Sequence, residues 1–79
     1  MNVKTQEEKG YWVVKLEGRL DISNSSQFEQ DCMNWIEQGQ RKFILDLGAL
    51  EYISSAGLRS ILAATKKLKA QNGSLALCS

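Results

Sequence analysis

The hydroxyl pair Ser54-Ser55 is the feature of this sequence best suited to chemistry. The two serines are followed by Ala56 and Gly57, so little side-chain bulk surrounds them. Serine is preferred at the start of a helix, because its Oγ accepts a hydrogen bond from backbone N–H groups that lack a partner inside the helix. An exposed serine can equally be reached by a second protein, and phosphorylation would add about −1.5 to −2 charges, which a helix N-terminus tolerates. The segment therefore predicts either a helix cap or a modifiable contact point.

Other reactive constellations are missing from the sequence. It contains no histidine, which rules out Ser-His-Asp and Cys-His catalysis and histidine metal ligands. Cys32 and Cys78 are 46 positions apart, far from the spacing of a zinc or redox pair, and both are predicted to be buried apolar residues. Asp21, Asp31 and Asp46 are not accompanied by a glycine-rich phosphate loop, so we interpret them as structural. We therefore expect no metal, no cofactor and no enzymatic activity.

Length and composition describe one globular domain spanning residues 1–79. The chain is 43% hydrophobic and 24% charged, an ordinary balance for a folded protein. A net charge of +1, and basic residues that are not interleaved with aromatic ones, argue against direct binding of nucleic acid. No apolar run reaches the roughly 18–20 residues of a membrane span, and the N-terminus has no signal-peptide core. We expect a cytoplasmic protein without a membrane contact.

Four strands are predicted from the apolar patterns between the glycines. The second, 11–16, repeats apolar side chains at every second position, and Gly18 is predicted to end it. The third, 42–47, is apolar at consecutive positions and is predicted to be covered on both faces. A polar segment at 2–5, joined to the second strand by a hairpin turn, and an apolar one at 74–78 complete the set.

Two amphipathic helices separate the last three strands. Their apolar stripes consist of Phe28, Cys32, Trp35 and Ile36 in the first helix and of Leu58, Ile61, Leu62, Thr65 and Leu68 in the second. The resulting order β-β-α-β-α-β predicts an α/β fold: a small mixed β-sheet with helices packed against it, in which strands joined through helices run parallel.

Charge is divided unevenly along the chain. Residues 1–51 carry a net charge of −3, whereas residues 52–79 carry +4 and contain no acidic side chain. The basic side chains of the second part are Arg59, Lys66, Lys67 and Lys69. We interpret them as the solvated side of the second helix, with attraction of an acidic partner as the alternative.

Two blocks of the sequence resemble the STAS family, the anti-sigma factor antagonist domain. The first is Glu17-Gly18-Arg19-Leu20-Asp21, followed by a serine-rich helix entry. The second comprises Leu45-Asp46-Leu47, then Tyr52-Ile53-Ser54-Ser55-Ala56-Gly57-Leu58, and finally Asn72-Gly73-Ser74-Leu75-Ala76-Leu77. The order and spacing of these blocks agree with the family along nearly the whole chain. The resemblance implies a mixed sheet with helices packed against it.

The resemblance also implies a function. In bacterial members, a partner serine kinase that is also the anti-sigma factor phosphorylates a serine at the start of the second helix, and a phosphatase reverses the modification. Carried onto this chain, the phosphoacceptor is Ser55, with Ser54 as second choice, and Asp21 is the acidic residue near it. The unphosphorylated protein would sequester the anti-sigma factor and so regulate transcription indirectly. The implied partner-binding residues are Asp21, Ser54, Ser55, Ala56, Gly57 and Leu58.

The chain departs from the family pattern in two ways. Ser54 stands where the family often has an aspartate before the phosphoserine, which removes a charge beside the hydroxyl. Family domains also usually continue with at least one more C-terminal helix, so we expect residues 1–79 to be a fragment, a truncated piece or an unusually short member of the family. The apolar surface that a missing helix leaves bare would invite dimerisation, strand exchange or low solubility.

Two other functions remain open at the level of sequence. The first is a constitutive STAS-type interaction subunit of a larger assembly, such as a lipid-transport complex, in which Ser55 serves only as a helix cap. The second, and least favoured, is a small-molecule or nucleotide binder.

Overall fold

The computed structural model describes residues 1–79 and contains four strands and two helices in the predicted order. Their bounds are β1 Asn2–Glu8, β2 Tyr11–Leu20, α1 Ser25–Glu37, β3 Lys42–Ile53, α2 Ser55–Ala70 and β4 Ser74–Cys78. The predicted α/β class and the mixed sheet are confirmed. Neither helix is long and apolar enough to span a bilayer.

The strands lie side by side in chain order, β1-β2-β3-β4. β1 and β2 form an antiparallel hairpin around Lys9-Gly10, whereas β2 with β3 and β3 with β4 are parallel pairs. Connections between parallel strands are almost always right-handed, and both steps here run in the same direction across the sheet. The two helices consequently lie on the same face of the sheet, where they pack against each other.

One face of the sheet therefore forms the core. The fully buried side chains on that face come from β2, β3 and both helices: Val14, Leu16, Leu20, Phe28, Cys32, Ile36, Phe43, Leu45, Ile61, Ala64 and Leu68. Ile44 and Asp46 alternate with Phe43 and Leu45 along β3, so they point to the other face and are only half-buried. The prediction that residues 42–47 are covered on both faces is wrong, because no helix crosses to the second face.

Three strands are longer than predicted: β1, predicted at 2–5, runs to Glu8, and the extensions of β2 and β3 both lead to the serine pair. Gly18 does not end β2. It adopts a positive φ of 101° inside the strand, next to a register shift against β3, and β2 continues to Leu20. β3 runs six residues beyond the predicted 42–47 and ends at Ile53, beside Leu20. The paired ends of β2 and β3 set the position at which α2 begins.

Candidate functional site

The carbonyl of Leu20 joins the two blocks that the sequence singled out. The backbone N–H of Ser54 donates a hydrogen bond to this oxygen, with an N–O distance of 2.9 Å. A Cβ atom at Gly57 would lie 2.9 Å from the same oxygen and 2.8 Å from Leu20 Cγ, so only glycine allows the helix start to pack this closely. Asp21, the next residue after Leu20, is thereby brought beside the first turn of α2.

The two serines at the junction have different structural positions. Ser54 is the N-cap of α2, in extended conformation, and its Oγ accepts a hydrogen bond from Gly57 N–H at 3.1 Å. Ser55 is the first residue of the helix, and its side chain is exposed. The idea that Ser55 serves as the helix cap is therefore wrong. Capping and exposure, which the sequence offered as alternatives, belong to two neighbouring residues.

Asp21 presents an ionised carboxylate at the edge of this junction. Its Oδ1 accepts hydrogen bonds from the Ser23 hydroxyl at 2.5 Å and from Ser23 N–H at 2.9 Å. The Ser23 hydroxyl is the main reason that the pKa of Asp21 is lowered, the Ser23 N–H adds to it, and the positive charge of Arg19 contributes further. The carboxylate therefore stays charged at neutral pH and is held in a fixed orientation.

The remaining candidate aspartates lie elsewhere. Asp46 is on the helix-free face of the sheet, where its Oδ1 accepts a hydrogen bond from Gly48 N–H at 3.0 Å. Asp31 accepts a hydrogen bond from Gln27 on α1 at 2.9 Å. No three acidic, cysteine or histidine side chains converge as metal ligands would. Asp21 alone of the three borders the serine pair.

The cysteines differ from each other in a way that the sequence did not predict. Cys32 is fully buried in the core, as expected. Burial is the main cause that raises the pKa of its thiol to about 12, with Asp31 and Glu29 adding to the effect. Cys78, in contrast, is exposed on the edge strand β4, so its predicted burial is wrong. Neither is near Ser55 in the chain or in the sheet register.

Sequence reasoning missed three residues that border the site. The guanidinium of Arg19 lies over the ring of Tyr52, 4.3 Å from its centroid. This pairing depends on the register shift at Gly18, which no periodicity in the sequence reveals. Ile22 is 82% exposed in the turn after Asp21. The sequence could have indicated Ile22 as an exposed apolar residue, because it stands in an otherwise polar turn.

One face of α2 carries exposed leucines together with basic side chains. Leu58 is 50% and Leu62 is 61% exposed, although both belonged to the predicted buried stripe. Ile61 and Leu68 of that stripe are buried as predicted, and the rest of the buried face consists of Gly57, Ser60 and Ala64. Helical spacing places Ser55, Leu58, Arg59, Leu62 and Lys66 together on the opposite side, which we call the outer strip of α2. The basic residues of the second helix are exposed, as predicted.

The chain is similar to a known domain family, to a curated relative and to several solved structures. Residues 2–79 match the model of the family described as STAS domain. The chain is 41% identical over 69 residues to the protein named "Putative anti-sigma factor antagonist BtrV" from Bordetella bronchiseptica. That alignment covers 87% of this chain and 60% of the relative, so the chain spans about three fifths of the relative's length.

Solved structures share the fold at lower identity. An anti-sigma factor antagonist from Mycobacterium paratuberculosis superposes with a TM-score of 0.85 at 22% identity, over 96% of this chain and 64% of that one. The anti-sigma factor antagonist SpoIIAA in its unphosphorylated form gives a TM-score of 0.82 at 23% identity, over 96% of this chain and 71% of that one. The phosphorylated form of SpoIIAA, from Bacillus, gives 0.78 at 22% identity, over 94% and 68%. At these identities the likeness is one of fold.

Proposed function

Because the chain belongs to the STAS domain family, we propose that it is a non-enzymatic anti-sigma factor antagonist whose binding is switched by phosphorylation of Ser55. The observation that carries the proposal is the division of roles between the two serines. Ser54 makes the capping hydrogen bond, which leaves the exposed hydroxyl of Ser55 available for modification. A serine that also capped the helix would have to release its capping hydrogen bond before a kinase could modify it.

The modification we propose is an ordinary phosphoryl transfer. The partner serine kinase, which is also the anti-sigma factor, supplies ATP, and Ser55 Oγ loses its proton as it bonds to the γ-phosphorus while ADP leaves. A phosphatase later restores the hydroxyl by hydrolysis with water. Because the reaction consumes ATP, we assign the protein to the cytoplasm.

The docking surface in this proposal combines Ser55 with exposed residues of the β2–α1 turn, the end of β3 and the first turn of α2. Asp21 and Ile22 lie at the end of β2, Tyr52 at the end of β3, and Leu58 one turn along α2. Tyr52 is 44% and Leu58 is 50% exposed, so the junction offers apolar surface that a partner can cover. A phosphate dianion at this point would have to be desolvated when the partner docks, which is costly without a matching cation. Binding by the unphosphorylated form only is the expected consequence.

The proposal is tested by affinity capture from native lysate with three baits: the wild-type chain, Ser55→Ala and Ser55→Asp, compared by mass spectrometry. We expect wild type and Ser55→Ala to retain one kinase-like partner and Ser55→Asp to lose it. Ser54→Asp is the matched control, because aspartate is itself a good N-cap and places the same charge one residue earlier. It should keep the partner.

The same experiment separates this function from a constitutive interaction subunit. Equal capture of the same partners by all the baits would contradict switching by phosphorylation and would support a constitutive contact surface at the junction. Loss of the partner with Ser54→Asp but not with Ser55→Asp would move the acceptor to Ser54.

A further inference from the structure

Arg59 is the basic side chain best placed to meet a phosphate on Ser55. The two residues are four positions apart on α2, which puts them on the same side of the helix about 6 Å apart along its axis. Both are exposed. The ion pairs of the structure join Lys4 and Lys15 to Glu17, so the guanidinium of Arg59 is without an acidic partner. From residue 52 onward the chain offers it none.

The other cations near the junction are engaged or out of reach. Arg19, at the end of β2, stacks on Tyr52 and lowers the pKa of Asp21, so its guanidinium already interacts with those two side chains. Lys66 shares the outer strip, but it lies eleven residues from Ser55, about 16 Å along the helix. Asp21 is the acidic group at the junction, and its repulsion would favour a phosphate that turns along α2 and away from the end of β2.

We propose that Arg59 is the intramolecular counter-ion of the phosphate on Ser55. The inference rests on the proposed modification of Ser55 and adds the residue that binds the resulting phosphate. An anionic group four positions before a cationic one is the favourable orientation for a helical ion pair. The phosphate itself would lie at the N-terminal end of α2, where the helix dipole favours an anion. Guanidinium and phosphate can further form two parallel hydrogen bonds.

This pairing gives phosphorylation a second effect on the docking surface. In the unmodified protein Arg59 is free to attract an acidic group of the partner beside Leu58. After modification the same guanidinium is bound to the phosphate, and the charge at this end of the outer strip changes from +1 to about −1. The partner then loses an attractive contact as well as meeting a new negative charge.

The test is a ³¹P NMR titration of the chain carrying phosphate on Ser55, prepared by incorporating phosphoserine at that position during synthesis. A phosphoserine normally loses its second proton near pH 6. An exposed helical ion pair worth about 0.5 kcal/mol corresponds to a pKa shift of about 0.4. We expect the second phosphate pKa to be lower by that amount in wild type than in Arg59→Gln, and Arg59→Lys to keep part of the shift. Raising the salt to about 1 M should shrink the difference.

Arg19→Gln is the matched control, since it removes a guanidinium from the same junction. It should titrate like wild type. Equal phosphate pKa values in wild type and Arg59→Gln, or a rise with Arg19→Gln alone, would overturn the assignment. Because phosphate is installed without a kinase, failure to find a kinase partner would count against the proposed function and leave this measurement valid. Equal phosphate pKa values in wild type and Arg59→Gln, in turn, would show that Arg59 does not bind the phosphate, and would leave the proposal that Ser55 is the acceptor untouched.

Discussion

Ser54→Ala should destabilise the protein, whereas Ser55→Ala should not. Alanine at position 54 removes the Oγ that accepts from Gly57 N–H and leaves that part-buried donor without a partner. Loss of such a cap costs about 1 kcal/mol, within a range of roughly 0.5–2. For a domain of this size that corresponds to a fall in Tm of about 4–8 °C. Ser55→Ala removes an exposed hydroxyl and introduces a better helix former, so its Tm should equal or slightly exceed that of wild type.

The measurement is thermal and urea unfolding, followed by circular dichroism and by the fluorescence of Trp12 and Trp35. Both tryptophans pack together in the core region away from the serine pair, with ring centroids 5.8 Å apart, so they report global unfolding. Ser54→Asp is the control, because it retains an acceptor at the cap and adds a charge that suits the helix dipole. Equal losses for the alanine variants at 54 and 55, or a larger loss at 55, would refute the assignment of capping to Ser54.

Two further predictions concern the residues that hold the junction together. Gly57→Ala should lower the free energy of unfolding by about 1–3 kcal/mol, because the new Cβ would overlap Leu20, even though alanine favours helix; a Tm at or above wild type in thermal unfolding would mean that α2 can move away from β2. Asp21→Asn should be less stable than wild type at neutral pH and should approach it in acid. The lowered pKa of Asp21 means that its charged form stabilises the native state above the unfolded pKa of about 4, and that this contribution is lost as the pH falls through the lower folded value; a Tm difference that stays constant from pH 7 to pH 2 would contradict this.

The element order and the serine junction were predictable because local signals define them. Strand alternation in 11–16 and the serine-glycine pattern at 54–57 each depend on neighbours within a few residues. The extension of β3 to Ile53 was not predictable. Residues 48–53 pair with β2 across irregular register, and such pairing is set by the partner strand and not by the segment itself.

The buried face of α2 was predicted only in part, for Ile61 and Leu68, and the reason is related. The apolar stripe of this helix is wider than the surface it buries, and periodicity cannot tell which edge meets the sheet. The structure buries the edge with small residues, Gly57, Ser60 and Ala64, because they let the helix approach β2 closely. Leu58 and Leu62 are left in solvent as a result. In this helix, the row of small residues therefore marks the face that packs against the sheet, and the leucines beside it mark an exposed apolar face.

The separation between the residues that build the junction and those that face solvent determines what the proposed switch can do. The Leu20 carbonyl, the Ser54 hydroxyl and the space left by Gly57 position α2 without using the side chain of Ser55. A phosphate on Ser55 therefore changes the charge of the surface and leaves the contacts that hold the helix intact. Stability and binding should then vary independently. Ser54→Ala and Gly57→Ala should lower Tm with binding retained by whatever protein remains folded, whereas a negative charge at 55 and substitutions at 58 and 59 should alter binding at nearly constant Tm.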